Sequence, residues 1–220
     1  MLFASSIIQT GFPSINLFDS AGLALQLMDD FDVQHLPVVN EEKYIGLISK
    51  DDLFDTDETA VIATLQDQII KIGVNSNAVF LEAVKQIVEH ETDLVTVVND
   101  ENEVEGVLTA THLLKQLALF NGIEEPGGTI VLELEKRSYA FGEISRLVET
   151  NDAYITQLNT TVNAETGMMQ VLIKISKREV SDIVATFQRY DYHVKYYLGE
   201  EQYANELKQN FQHLLSYLNI

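Results

Sequence analysis

The chain has no cysteine, only three prolines and few basic residues: 14 lysines and arginines stand against 34 aspartates and glutamates. Without cysteine, disulfides, thiol catalysis and cysteine-based zinc sites are excluded. The formal net charge of −20 argues against nucleic acid or an anionic membrane as a partner. No apolar run approaches the ~18 residues that a membrane span needs, and no basic segment precedes the first apolar residues. We therefore expect a cytoplasmic protein.

The negative charge is concentrated in the first half of the chain. Residues 1–122 carry five basic residues against 20 acidic ones, a net of −15, whereas residues 123–220 carry nine against 14, a net of −5. Such an acidic half repels a multiply charged phosphate unless local bases or Mg²⁺ intervene.

The length of 220 residues suits one large domain or two small ones.

The first half contains an internal repeat. An extended segment, a helix, a strand, a polar turn, a second strand and a helix occur in this order twice. Val38-Val39-Asn40 recurs as Val97-Val98-Asn99 at a spacing of 59, and Gly46 recurs as Gly106 at a spacing of 60. The extra residue lies in the turn, where insertions are tolerated.

The helices of the repeat are predicted from apolar spacing and from capping residues. Asp19 or Ser20 is the predicted cap of the first helix, and Ser76 or Asn77 that of its counterpart. The predicted apolar stripes of these two helices are Leu23, Leu27 and Met28 in the first, and Leu81, Val84, Ile87 and Val88 in the second.

One strand-to-helix junction carries a pattern suited to binding a sugar. The apolar strand after Tyr44 ends at Ser49, which suits a helix N-cap, and Asp52 follows in the first helical turn. A hydroxyl and a carboxylate three residues apart lie on neighbouring faces of that turn. Such a pair can hold a vicinal diol, because a carboxylate accepts hydrogen bonds from both hydroxyls. An ordinary capped helix is the alternative interpretation.

These residues resemble the ribose-contacting signature of CBS domains. Gly46 to Asp52 match it fully, and Leu36-Pro37-Val38-Val39 match the family's common strand pattern. The second copy, Gly106 to His112, keeps a threonine at 109 but has His112 where the signature has aspartate. The repeat therefore resembles a tandem of CBS domains, a Bateman module.

This resemblance implies a regulatory protein that binds an adenosyl ligand between the repeats. Asp52 would accept from the ribose hydroxyls with support from Ser49, and His35 or Lys50 would face any phosphate. Ile15 and the backbone around His35, Leu36 and Pro37 would line the adenine. The implied ligand is AMP, ADP, ATP or S-adenosylmethionine, and the acidity of this half favours a ligand of low negative charge, such as S-adenosylmethionine or adenosine itself. The alternative interpretation of His35 is a strand histidine that is exposed, or hydrogen-bonded within the protein, and contacts no ligand.

No catalytic or metal site is predicted. The chain has no nucleophile elbow, Walker loop, dinucleotide fingerprint or zinc-protease signature. Glu89, His90 and Glu91 are adjacent, and adjacent side chains on a helix point apart. We therefore expect a protein that is not an enzyme. Two alternatives stay open: a dimerisation or protein-interaction module without a small ligand, and an enzyme whose catalytic residues come from distant segments.

The second half begins after a turn-rich linker at residues 121–128. Its apolar patterns predict the order βαββαβ, which is the ferredoxin-like arrangement, with Phe141, Ile144, Leu147 and Val148 as the apolar stripe of its first helix. This segment resembles an ACT domain, although Tyr139 stands in the loop where that family often has glycine. The domain order is similar to that of acetoin-utilisation-type regulatory proteins.

The complete prediction is an α/β (α+β) protein with four parts. Residues 1–60 and 61–122 are the two CBS repeats, 128–199 the ACT-like domain, and 200–220 a C-terminal amphipathic helix. We expect a homodimer that regulates a partner protein and binds neither nucleic acid nor membrane.

Overall fold

The computed structural model describes residues 2–199, which form two compact units divided between Leu117 and Ala118. The predicted amphipathic helix at 200–220 lies outside the described residues. None of the helices in the described part of the chain has the length and apolar character needed to cross a bilayer.

The first unit contains two small sheets with the same topology. Its elements are β1 (Ile15–Asn16), α1 (Ala21–Phe31), β2 (His35–Asn40), β3 (Lys43–Ser49), α2 (Lys50–Phe54), a 3-10 helix (Ile62–Gln68), β4 (Val74–Asn75), α3 (Phe80–His90), β5 (Leu94–Val98), β6 (Val104–Thr109) and α4 (Ala110–Phe120). In each sheet a short strand pairs in parallel with the first strand of a hairpin, giving the orders β1-β2-β3 and β4-β5-β6. The irregularity in the hairpin also recurs, at Val38/Val39 and at Val97/Val98. The predicted internal repeat is thus confirmed.

The glycine of each repeat allows a segment from outside the repeat to approach closely. Leu47 and Ile70 exchange two backbone hydrogen bonds of 2.9 and 2.8 Å. A Cβ atom on Gly46 would lie 2.5 Å from the Ile70 carbonyl oxygen, so only glycine fits without displacement. In the second repeat, Gln9 crosses β6 in the same manner, and a Cβ atom on Gly106 would lie 2.7 Å from the Gln9 oxygen.

The face that α1 turns to the core differs from the predicted one. Ser20 caps the helix as expected, because its hydroxyl accepts from the Leu23 amide at 3.2 Å. Ala21, Ala24 and Met28 are fully buried, however, while Leu23 is 40% exposed. The prediction for Leu23 was wrong, since small alanines rather than large leucines face the sheet and let the helix pack closely on it.

The same difference occurs in α3, where Phe80, Ala83 and Ile87 are buried. Leu81 and Val88 are exposed, so their predicted place in the apolar face was wrong. The predicted caps at Ser76 and Asn77 were also wrong, because the helix begins at Phe80 after Val79 and has no side-chain cap.

The two repeats meet at the tips of their hairpins. The Tyr44 amide donates to the Asn102 carbonyl and the Asn102 side-chain amide donates to the Tyr44 carbonyl, both at 2.9 Å. The Lys43 ammonium lies 3.0 Å from the Glu103 carboxylate. Hydrogen bonds from the Asn99 amide and from Lys43 hold the pKa of Glu103 below its ordinary value.

The second unit has the predicted βαββαβ order. Its elements are β7 (Gly128–Leu134), α5 (Phe141–Glu149), β8 (Ile155–Val162), β9 (Met169–Ile175), α6 (Ser181–Arg189) and β10 (His193–Leu198). The sheet is antiparallel in the order β10-β7-β9-β8, which is the ferredoxin-like arrangement. Alternate residues of β7 and β9 pack with Ile144, Leu147 and Val148 in one apolar cluster. Phe141 is 53% exposed, so its predicted place in the stripe was wrong.

Candidate ligand site between the repeats

The predicted ribose contacts lie together at the end of β3. Ser49 caps the five-residue helix α2: the Asp52 amide donates to the Ser49 hydroxyl oxygen at 3.1 Å. The Ser49 hydroxyl in turn donates to Asp52 Oδ2 at 2.5 Å. Asp52 is half-buried, and its Oδ1 has no hydrogen-bond partner within residues 2–199. The serine therefore orients the carboxylate and leaves one oxygen able to accept from a ligand hydroxyl.

His35 is bound to an aspartate of the second repeat. The residue is 8% exposed, and its Nδ1 lies 2.6 Å from Asp93 Oδ1. The other oxygen of Asp93 accepts from the Gln34 amide, also at 2.6 Å. A carboxylate next to Nδ1 favours the tautomer that carries its proton there, so that Nε2 of the neutral ring is an acceptor. A role of His35 toward phosphate stays a prediction, and the ring would act there while its Nδ1 remains bound to the Asp93 carboxylate.

Lys50 also has a carboxylate partner. Its ammonium group pairs with Asp29 and lies 5.9 Å from the centroid of the Phe54 ring. Only 17% of the lysine side chain is exposed. A phosphate contact from Lys50 likewise stays a prediction, and it would require Lys50 to share or leave Asp29.

The residues predicted to line the adenine belong to the apolar core. Ile15 and Leu36 have no exposed surface, and Pro37 is buried beside them. Because the side chains of Ile15 and Leu36 pack in the apolar core together with Leu94 and Val107 of the second repeat, only the backbone could contact a ligand here unless the cleft opened. Their role stays a prediction.

The second copy of the motif keeps its cap and gains a contact from the N-terminal arm. The His112 amide donates to the Thr109 hydroxyl oxygen at 3.3 Å. That hydroxyl donates to the Gln9 side-chain oxygen at 3.0 Å. The arm thus engages the threonine that stands where the first repeat has Ser49.

An open cavity of about 490 Å³ lies beside this second motif. It is lined by Gln9, Thr10, Gly11, Phe12, Phe31, Asp32, Val33, Asp93, Thr109, Ala110 and Thr111. The rings of Phe12 and Phe31 meet edge to face with their centroids 5.3 Å apart. No basic side chain is among the described residues that line it, whereas Asp32 and Asp93 are acidic.

The sequence reasoning did not identify these lining residues. Four separate segments supply them: the N-terminal arm, the end of α1, the residue before β5, and the junction of β6 with α4. The internal repeat could have indicated one of them, because Asp93 precedes β5 as its counterpart Gln34 precedes β2. The pairing of Gln9 with Val107, which brings the arm there, has no local pattern in the sequence.

The second unit has a smaller and strongly acidic cavity of about 310 Å³ near Ser138. Glu133, Glu143 and Asp191 are among its lining residues. The Tyr192 hydroxyl donates to Glu143 at 2.8 Å. Burial, together with this contact to the glutamate, raises the pKa of Tyr192 to about 12.

The equivalent sheets and hairpins of the first unit define a tandem of two α/β repeats. Residues 4–58 and 72–119 both match the sequence profile of the CBS domain. The first 119 residues therefore contain a tandem of two CBS domains.

The chain is also similar to solved structures and to curated proteins. A CBS domain pair/ACT domain protein from Thermotoga maritima is 17% identical with a TM-score of 0.50, over 54% of this chain and 98% of that one. A protein assigned to acetoin utilization (AcuB) from Vibrio cholerae is 16% identical with a TM-score of 0.47, over 57% of this chain and 99% of that one. Inosine-5'-monophosphate dehydrogenase of Bacillus subtilis is 23% identical over 169 residues, which are 74% of this chain. The match spans only 34% of the dehydrogenase.

Proposed function

We propose that this protein is a regulatory ligand sensor and not an enzyme. An adenosyl ligand, either AMP, ADP, ATP or S-adenosylmethionine, would bind in the cleft of the CBS tandem. The observation that carries this proposal is the Ser49–Asp52 pair, in which a hydroxyl holds a half-buried carboxylate with one oxygen unused. A carboxylate held in this way suits a ribose diol, because its oxygens accept charge-assisted hydrogen bonds from both hydroxyls.

Binding would act through a shift between two arrangements of the repeats. A ligand changes such an equilibrium only by its difference in affinity for the two states. Residues 1–60 and 61–122 would be the moving CBS repeats, and residues 128–199 would form an ACT-like domain that reads the change. We expect a cytoplasmic homodimer that acts on a partner protein.

An interaction module without a small ligand is the second candidate. It is favoured by the ion pairs of His35 with Asp93 and of Lys50 with Asp29, which occupy both bases that were predicted to face phosphate. The net charge of −15 in residues 1–122 would then suit a basic protein partner.

The first test is replacement of the diol-binding carboxylate. Asp52→Ala should weaken binding of an adenosyl ligand about tenfold or more, since hydrogen bonds to a charged group contribute ~1.5–3 kcal/mol each. Isothermal titration calorimetry with adenosine, AMP and S-adenosylmethionine measures the change. Asp55→Ala is the matched control, because Asp55 is exposed at the other end of α2.

Equal affinities of the wild type and Asp52→Ala would contradict the assignment of this site. A thermal-shift screen with the same ligands separates the two candidate functions. A ligand that binds only the folded state must raise the melting temperature at saturating concentration. No response to any of them would favour the interaction module.

A further inference from the structure

The cavity beside Thr109 indicates where the first cleft lies, because the two repeats share the same backbone geometry around it. In the second repeat the Ala110 amide donates to the Asp93 carbonyl at 2.7 Å, and in the first the Lys50 amide donates to the Gln34 carbonyl at 2.7 Å. Each junction between strand and helix is therefore fixed to the start of the neighbouring strand in the same way.

The segments that cross each repeat also correspond. Gln9 exchanges two backbone hydrogen bonds with Val107 next to the second motif. Ile70 does the same with Leu47 next to the first motif. Thr10 follows Gln9 and lines the cavity. Lys71 follows Ile70 in the same way, so Lys71 is the counterpart of Thr10 at the first motif.

The helix ends correspond as well. Helix α1 ends at Phe31 and is followed by Asp32 in a left-handed conformation with φ of 53°. Helix α3 ends at His90 and is followed by Glu91 with φ of 55°. Phe31 lines the second cavity, and its counterpart at the first cleft is therefore His90.

The two clefts thus differ in charge. Where the second has Thr10, Phe31 and Ala110, the first has Lys71, His90 and Lys50. Lys71 is exposed and makes no ion pair with any residue between 2 and 199, unlike Lys50 with its partner Asp29. Glu91 and Asp51 are also at positions equivalent to cavity-lining residues, and these acids would repel an anion unless a base stood nearby.

A buried hydroxyl supports a ligand at the first cleft. Thr92 is the counterpart of Val33, which lines the second cavity. Thr92 is 4% exposed, and its hydroxyl oxygen has no hydrogen-bond partner among the described residues. A buried polar group without a partner is unfavourable, and this one stands at the position equivalent to a residue that lines the second cavity.

We propose that Lys71 and His90 bind the phosphate of a nucleotide in the first cleft and thereby select AMP over adenosine. The inference rests on the proposed function, since the ribose of the same ligand is held by Asp52. It assigns the phosphate contact to Lys71 and His90 instead of His35 and Lys50, which already have carboxylate partners in Asp93 and Asp29.

The test compares AMP with adenosine on the full chain. Calorimetry at pH 7 and low salt gives the affinity ratio of the two ligands for the wild type, Lys71→Gln and His90→Gln. We expect the wild type to prefer AMP. Lys71→Gln should weaken AMP binding about tenfold, as expected for a lost charge-assisted hydrogen bond, and leave adenosine unchanged. His90→Gln should act in the same direction with a smaller effect.

Lys115→Gln is the control, because Lys115 is exposed on α4 in the same acidic half and does not line the cavity. Three results overturn the inference: an unchanged ratio of AMP to adenosine in Lys71→Gln and His90→Gln, an equal loss of both ligands, or a wild type that binds adenosine as tightly as AMP. In each of these cases sensitivity of adenosine binding to Asp52→Ala would still support the proposed function. Failure of AMP and adenosine to bind would refute the assignment of Lys71 and His90. Failure of ADP, ATP and S-adenosylmethionine as well would also refute the proposed function.

Discussion

The contact between His35 and Asp93 permits a quantitative test of how the repeats are joined. Asp93 accepts from the Gln34 amide and from His35, both at 2.6 Å. The side chain of His35 is 11% exposed and that of Asp93 is 31% exposed. Replacing Asp93 by alanine leaves a buried imidazole N–H and a backbone N–H without their acceptor. Each loss costs ~1–3 kcal/mol when the group stays buried. Because Gln34 is exposed and its amide can bind water in the variant, we expect the lower part of the summed range, about 2–4 kcal/mol.

Part of this cost belongs to the His35 contact alone, and a double-mutant cycle isolates it. Asp93→Ala, His35→Ala and the double variant are compared by urea unfolding at pH 7, followed by circular dichroism. The coupling energy should be about 1–2 kcal/mol, since the pair is largely desolvated. The control is the cycle between Lys43 and Glu103, which also joins the repeats but is exposed, and exposed pairs couple by only ~0–1 kcal/mol.

A coupling energy for His35 and Asp93 no larger than that of the exposed pair would refute the reasoning. It would mean that the backbone bond to Gln34, and not the imidazole, accounts for the effect of Asp93. Asp93→Asn refines the result, because its side-chain oxygen can still accept from the Gln34 amide while the carboxylate charge is lost.

Two further predictions concern the close contacts in the first repeat. Gly46→Ala should destabilise the protein by ~1–3 kcal/mol through overpacking, because its Cβ atom would lie 2.5 Å from the Ile70 carbonyl oxygen. Thermal unfolding measures the change. The control is Gly142→Ala, whose Cβ atom would meet nothing within 4 Å and which should be neutral or stabilising. Burial raises the pKa of Tyr44, whose hydroxyl donates to the Ile72 carbonyl at 2.6 Å, so the folded state prefers the neutral ring. This contribution to stability is present below the pKa of unfolded tyrosine, about 10, and is lost as the pH rises above that pKa. In urea unfolding at pH 8 to 11, the stability of the wild type should therefore decline more steeply above pH ~10 than that of Tyr44→Phe. Parallel pH dependences of the two proteins would contradict this prediction.

Local patterns in the sequence determined much of the fold. The recurrence of Val38-Val39-Asn40 and of Gly46 predicted the repeat, and the structure has the same sheet topology twice. The serine cap of α1 and the junction at Ser49 were predicted because capping is a contact between residues three positions apart. The βαββαβ order of the second unit followed from periodicity for the same reason.

The buried helix faces were less accessible to such patterns. Alanine is less hydrophobic than leucine and contributes less to a predicted apolar stripe. Ala21 and Ala24 nevertheless face the core, while Leu23 is partly exposed to solvent. The packing distance between helix and sheet decides this choice, and no residue of the helix specifies that distance by itself.

The candidate site depends on both levels. Ser49 and Asp52 are near in sequence, so their hydrogen bond could be predicted from the motif. Contacts such as that of His35 with Asp93, 58 residues away, or of Thr109 with Gln9, 100 residues away, arise only when distant segments cross. The chain alone determined the chemistry of the motif. The tertiary structure decided which charges compensate one another and where a cavity remains, because both depend on close packing between segments that no local pattern relates.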